Sequence, residues 1–525
     1  VLAFVTNRSF IESRTFDGFR KTVANEFADI YVVDLGGDVR ANPKLSGTKH
    51  NVFGIQTGVA ISFMVKKVSG TKDKRVARVH YVRRPEMETA EEKLGFIANH
   101  PMRELAFDEV QPDKTHNWVN LTSNDFETLI SLASKETKAA KTAGKERAIF
   151  KLFSLGVVTA RDEWVYDFSR ERLTEKVQAL IDAYTADVEK LKHVLDRTDL
   201  ASSLDTTIKW SRATKRDLAN RVPYSFEESR IVTANYRPFA KSQLYFDSRL
   251  NEMRNLTTRL FGESGRVENR SIVLTDAGSQ KPFMVQAIDT VPDYHYVGAA
   301  AAAVAMSIER IDEGGNRHDN ITDWALKQFA THYADEIGKG KSARKITKEA
   351  IFHYCYAVLH DPLYREKYAQ NLKREFPRIP FYKDFWQWAA WGEALMGLHI
   401  GYEGVAPFAL VRTDVPDAKV RAAGLQPKAM LRADPTAGSI TLDSETKLSG
   451  IPAEAWTYKL GNRCAIDWVL DQYKEKKPKD PTIREKFNTY RFADYKDKVV
   501  DLLMRVTTVS VETMQIVQAM KAAAR

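Results

Sequence analysis

Cysteine is nearly absent: Cys355 and Cys464 are the only two in 525 residues, and they lie far apart. Two thiols distant in sequence argue against a disulfide framework and suit a reducing compartment, so a cytoplasmic location is expected. No stretch approaches eighteen apolar residues, and the longest small-residue tract, Gly298 to Met306, is mostly alanine. No membrane span or membrane partner is therefore expected. The opening VLAFVTN is too short for a secretory signal and runs at once into Arg8. The chain also lacks HExxH, paired CxxC, GxGxxG and Walker-type motifs, and DEGGNRHDN reads as a turn. Neither a metal centre nor a phosphate cradle is expected. His353 and His360 are seven apart with Cys355 between them, whereas ligands on one helix need a spacing of three or four. They and His399 read as core or surface histidines, and FHYCYAV and FWQWAAW as the packing of a helical layer.

What is present is an ordinary globular composition, 43% apolar and 10% aromatic, over a length that predicts two to four domains. The formal charge is +10, and its excess is local. Residues 208–260 hold eleven Lys or Arg against five Asp or Glu. Trp210, Tyr224, Tyr236, Phe239, Tyr245 and Phe246 are interleaved with these cations. Arginine can donate bidentately to guanine, Lys and Ser can hold phosphates, and Tyr or Trp can stack or position. A solvated basic face is the other reading of the same residues.

Along the chain, the spacing predicts a strand at 1–6, a helix at 9–27 and a second strand at 30–35, joined as a crossover unit of a parallel sheet. Strand 58–67 is expected to close that sheet, and 76–82 to pair with it through the turn SGTKDK. A chain that opens inside a strand, without an initiator Met, reads as the C-terminal portion of a longer polypeptide. Helices are predicted at 88–97, 123–134 and 172–195, the last with Val177, Leu180, Ile181, Tyr184, Val188, Leu191 and Val194 on one face. Residues 138–147 read as a polar linker, 272–300 as short strands, and 321–333, 348–360, 362–376 and 384–399 as helices. The last third alternates strands at 429–448 with helices near 464–473 and 509–524. Arg237, before Pro238, should be extended.

One stretch, HNVFGIQTGVAISFMVKK (50–67), joins a turn-rich loop to an alternating strand. Phe53 sits in that loop. It either presents its ring to a ligand or packs beneath its own turn.

Taken together, TNRSFIESRTFDGFRK, YVVDLGGDVR, the 50–67 stretch, GVVTARDEWVYDFS, NYRPFAKSQLYFD, IFHYCYAVLHDPLYREKYAQNLKREFPRIPF, LHIGYE, YKLGNRCAIDWVLDQY and VSVETMQIV resemble, in collinear order, the C-terminal half of single-polypeptide type ISP restriction-modification enzymes. That family joins a nuclease, a translocase, an adenine methyltransferase and a target-recognition domain. The resemblance implies an α/β with α+β fold: trailing strands of a methyltransferase-type Rossmann-like sheet (1–85), linker and scaffold helices (86–200), and a mixed recognition region (201–525) dividing near 310–345. Strands 58–67 and 76–82 would form its antiparallel closing hairpin. It implies double-stranded DNA as partner, together with the nuclease, translocase and methyltransferase segments of the same polypeptide. S-adenosylmethionine would be the cofactor of the whole enzyme, with ATP and magnesium serving only the motor and nuclease. The methyl-donor loop and the Asn/Asp-Pro-Pro-aromatic motif do not occur here and are expected upstream of Val1, so this portion alone should not methylate. By resemblance Phe53 stacks on a flipped adenine. Arg161, Lys209, Arg212, Lys215, Arg216, Arg237 and Lys241 are DNA-contact candidates by residue type and clustering. The competing function is a docking platform that holds the motor and nuclease parts together.

Overall fold

The computed structural model describes residues 1–39, 45, 49–66, 76–113, 116–119, 124–191, 204–279, 281–299, 301–337 and 344–525. They form two units. The first comprises Val1–Phe126 with Ala277–Lys281 and Tyr368–Glu375; the second comprises Glu127–Asp276, Pro282–Lys367 and Phe376–Arg525. The divisions expected at 85 and 200 each fall inside a unit.

The first unit is built on β1 (Leu2–Asn7), α1 (Ser9–Glu12), α2 (Asp17–Glu26), β2 (Asp29–Gly36), β3 (Val59–Val65), β4 (Arg78–Arg83), α3 (Ala90–Asn99) and β5 (Asp108–Val110). The sheet order is β1-β3-β2-β4-β5. β1 and β2 each run antiparallel to β3 and so parallel to one another, as a crossover requires, but β3 lies between them. β4 pairs with β2, in parallel, and not with β3. This corrects two expectations: β3 does not close the sheet, and 58–67 and 76–82 are not a hairpin. Alternation specifies which face a residue occupies, and leaves the neighbour open. Burial chooses the place of β3, whose Val59, Ala60, Ser62 and Met64 are all buried and need a strand on each side. The turn SGTKDK lies outside the described residues. β1 is exposed at every residue, with Phe4 and Val5 about half open to solvent, although the apolar run VLAFVT has the character of a central strand. The expected helix 9–27 breaks at Ser13, where the backbone turns extended.

In the second unit, α4 (Asp162–Val165) leads into α5 (Arg170–Leu191), whose buried face carries Leu173, Val177, Leu180, Ile181, Tyr184, Val188 and Leu191. The predicted stripe thus faces a core, except that Val194 lies outside the described residues. A shorter helix, α6 (Arg212–Ala219), follows, then the hairpin β6 (Ile231–Arg237) and β7 (Ala240–Tyr245). Arg237 ends its strand, extended as proline demands. Two further four-stranded sheets combine Ser154–Leu155, Ser271–Thr275, Val285–Ile288 and Ala303–Ser307, and Val411–Asp414, Ala429–Asp434, Ser439–Asp443 and Thr446–Ser449. No α-helix forms among the described residues of 123–134: Phe126–Thr128 is a 3-10 turn and Ile130–Ser131 a strand, while Ser123 is outside them. The linker 138–147 is tied down, with Lys138 donating to Phe153 O at 2.9 Å.

The helical layer is α7 (Lys348–Val358), α8 (Phe385–Ile400) and α9 (Lys496–Lys521). His399 joins all three, hydrogen-bonded with Tyr356 at 2.5 Å and Thr513 at 2.9 Å, and burial lowers its pKa to about 3. It stays neutral at any ordinary pH. His353 and His360 are buried too. The α7–α8 crossing is closest at Gly392, where a Cβ would stand 1.8 Å from His353 O. Gly392→Ala must push two buried helices apart. We expect a loss of about 1–3 kcal/mol, read as a lowered midpoint in urea; an unshifted midpoint would contradict this contact.

Candidate nucleic-acid interface

The aromatic loop of the first unit is organised by one buried side chain. Asn51 Nδ2 donates to Gly37 O at 3.2 Å and Thr57 O at 2.7 Å, while its Oδ1 accepts from the amides of Phe53 at 3.0 Å and Ile55 at 3.4 Å. One amide thereby ties both ends of the loop to its tip. Gly37 has φ +78°, and a Cβ there would lie 2.6 Å from His50 O, so the chain can pass only as glycine. From α3, the buried Lys93 donates to the same His50 O at 2.8 Å. With its base held, the tip turns outward. Phe53 is 63% exposed and Ile55 45%, so the ring does not pack beneath its own loop.

Beneath the loop lies a buried ion pair. Arg8 Nε and Nη2 donate to the Asp34 carboxylate at 3.0 and 2.8 Å, and Tyr81 OH donates to it at 2.7 Å. The Gly36 amide adds a fourth donor at 2.9 Å. Burial alone would raise the Asp34 carboxyl, but the hydrogen bonds and charge of Arg8, with Tyr81 and Gly36, outweigh it and hold it below the usual carboxylate range.

In the second unit, Ser211 caps α6. Its hydroxyl accepts from Thr214 N, and Thr214 Oγ1 accepts from Ser211 N, a reciprocal capping box. Leu218 and Asp217 face inward, and Asp217 accepts from Tyr224 OH at 3.0 Å. Tyr224 stacks on Tyr184 of α5 with centroids 3.9 Å apart. The outward face holds Arg212, Lys215 and Arg216, and Lys209 just precedes the cap; all four are exposed. Arg216 pairs with Asp217; Lys209, Arg212 and Lys215 have no carboxylate partner among the described residues.

The other three cationic candidates lie elsewhere. Arg237 is half-buried, paired with Asp293 at 2.6 Å and over the ring of Tyr236. Lys241 reaches Glu403 at 3.1 Å. Arg161 is 3% exposed and donates through Nη2 to Ser211 Oγ at 2.5 Å and Thr214 Oγ1 at 3.3 Å. The interleaved aromatics are structural: Tyr224, Phe239, Tyr245 and Phe246 are buried, and Trp210 donates to Asp205 O. They offer no stacking surface to a base. Sequence reasoning passed over Arg8, Asp34 and Lys93, whose charge gives no sign that they are buried, and treated Asn51 only as a turn residue.

Among the described residues no His, Cys, Asp and Glu group suits a metal ion, and no helix is long and apolar enough to cross a membrane.

Residues 148–502 match the model of the Type ISP C-terminal specificity domain, and the chain belongs to that family. Among solved structures it is similar to DrdV, determined by electron cryomicroscopy as a DNA complex, at 46% identity and TM-score 0.89 over 100% of this chain and 50% of that one. It is also similar, at 27% identity and TM-score 0.81 over 98% of this chain and 46% of the other, to a nuclease-deletion mutant of the Type ISP restriction-modification enzyme LlaGI in complex with a DNA substrate mimic. LlaBIII, an ATP-dependent Type ISP enzyme bound to DNA, shares the fold at 23% identity and TM-score 0.78, over 98% of this chain and 32% of that one. The chain thus spans half or less of each. No curated protein matches it.

Proposed function

We propose that this chain selects the DNA target of a Type ISP restriction-modification enzyme that methylates the exocyclic amino group of adenine, with α6 as a phosphate-holding element. The observation that carries this reading is that Lys209, just before α6, and Arg212 and Lys215 on it are exposed without carboxylate partners among the described residues, whereas the charges of Arg237 and Lys241 are used internally. That DrdV and LlaGI were solved with DNA supports it. Phosphate neutralisation releases counterions, so log affinity for a duplex should fall linearly with log salt. Fluorescence anisotropy on this chain tests that; affinity independent of salt would refute it.

The first unit reads as the end of the methyltransferase sheet. An antiparallel hairpin is present, formed by β2 and β3, and this supports the assignment. The unit does not fit S-adenosylmethionine: β1 passes through Arg8 directly into α1, with no glycine-rich turn to hold a donor, and Arg8 is consumed by Asp34. On this reading a donor site would lie in another part of the enzyme. What this unit supplies is Phe53, held outward where a flipped adenine could stack. Base stacking on an aromatic ring is worth about 1–3 kcal/mol. Phe53→Ala in the parent enzyme should therefore slow methylation about 5- to 150-fold, with the melting temperature unchanged because the ring is exposed. Unaltered methylation would remove Phe53 from the site.

A further inference from the structure

Arg161 is an arginine buried without a carboxylate contact. Its Nη2 binds the two hydroxyls of the α6 capping box, but Nε and Nη1 are buried and have no hydrogen-bond partner among the described residues. An arginine cannot shed its proton to escape this situation. The cation therefore stands behind the N-terminus of an eight-residue helix, whose dipole already favours an anion. The acidic group whose charge acts on Arg161 is the half-buried Glu252. Its Oε2 accepts from the Ala213 amide at a long 3.4 Å and acts on Arg161 only through its charge. A carboxylate thus hangs loosely over the position that an external anion would take.

We infer that one phosphate of the DNA backbone seats at the N-terminus of α6, displacing the Glu252 carboxylate and compensating Arg161. This rests on α6 facing DNA, as argued above. Glu252 then acts as an internal competitor, and Arg161 as the buried charge that makes exchange favourable. Ser211 and Thr214 transmit the position of Arg161 to the helix end. The expectation is unusual in sign: removing an acid that touches the protein's own helix should strengthen binding.

The test uses the whole chain and a fluorescent duplex. Glu252→Gln keeps the shape and removes the competing charge; it should tighten binding several-fold. Arg161→Gln should abolish that gain in the double variant, because the two residues act on one anion. A gain of affinity cannot come from misfolding, so Glu252→Gln keeps the inference falsifiable even if Arg161→Gln loosens α6. Inorganic phosphate is the second probe. It should displace the duplex better than chloride at matched ionic strength, and more so from Glu252→Gln. No tightening in Glu252→Gln overturns the inference, as does tightening without preferential competition by phosphate, which would mean that the charge acts at long range with no seat. If reversing the exposed cations of α6 leaves duplex binding unchanged, the underlying reading of α6 fails instead.

Discussion

Reversing Lys209, Arg212 and Lys215 to glutamate is expected to weaken duplex binding about 100-fold at physiological salt and to flatten the salt slope by about 2.7, the value for three lost phosphate contacts. The same triple variant should melt no lower than the wild type. Arg212 stands in the first turn of α6, where a cation opposes the helix dipole and glutamate gains about 0.3–1 kcal/mol; Lys209 precedes the cap residue Ser211 and is neutral in this respect. None of the three is ion-paired among the described residues, so no pair is broken by the change. Stability and binding should thus move in opposite directions, which separates an interface from a merely solvated face: a solvated face would gain the stability and lose nothing. Anisotropy titrations at several salt concentrations, with a thermal melt of the same preparation, decide the matter. Retained affinity would favour the docking-platform reading.

Much of this architecture could be read from residue patterns, and the failures have identifiable causes. The α5 stripe and the helices at 348, 385 and 465 were legible because apolar residues recur at helical spacing over two turns or more and face one core. β3 was legible as a strand but not as the middle of its sheet, since alternation carries no information about the neighbour. Residues 123–134 failed because a short polar pattern around one serine outweighed the absence of a sustained apolar face. At the interface, charge clustering located α6 but could not sort its members. Arg237 and Lys241 look like Arg212 and Lys215 in sequence, and differ only because Asp293 and Glu403, more than fifty residues away, reach them. Phe53 was legible only as a loop aromatic: its outward turn depends on the bonds of Asn51 to Gly37 and Thr57, which no local pattern shows.

Asp34→Ala should destabilise the sheet of the first unit by about 3–5 kcal/mol, the usual cost of removing one partner from a buried ion pair. The loss exceeds that of one hydrogen bond because Arg8, Tyr81 and the Gly36 amide all aim donors at this carboxylate, and Arg8 would remain charged and buried, with Glu12 alone beside it. The pH dependence follows from the depressed pKa. An unfolded Asp titrates near about 3.9, and the folded one lower, so the pair's contribution is fully present above the unfolded value and disappears as pH falls through the folded one. The gap between wild type and variant should therefore be constant from pH 5 to 7 and close below about pH 4. Hydrogen exchange on peptides spanning β2, β3 and β4 measures it at neutral pH, and calorimetry follows it into acid. The consequence reaches the aromatic loop. Gly37, one of the two carbonyl anchors of Asn51, follows directly on β2, and Arg8 packs its side chain over Gly58 at the other end. Loosening this pair should raise exchange at the Phe53 and Ile55 amides before the rest of the sheet opens. A variant that keeps wild-type protection at those two amides while losing it in β2 would show that Asn51 holds the loop without help from the pair beneath.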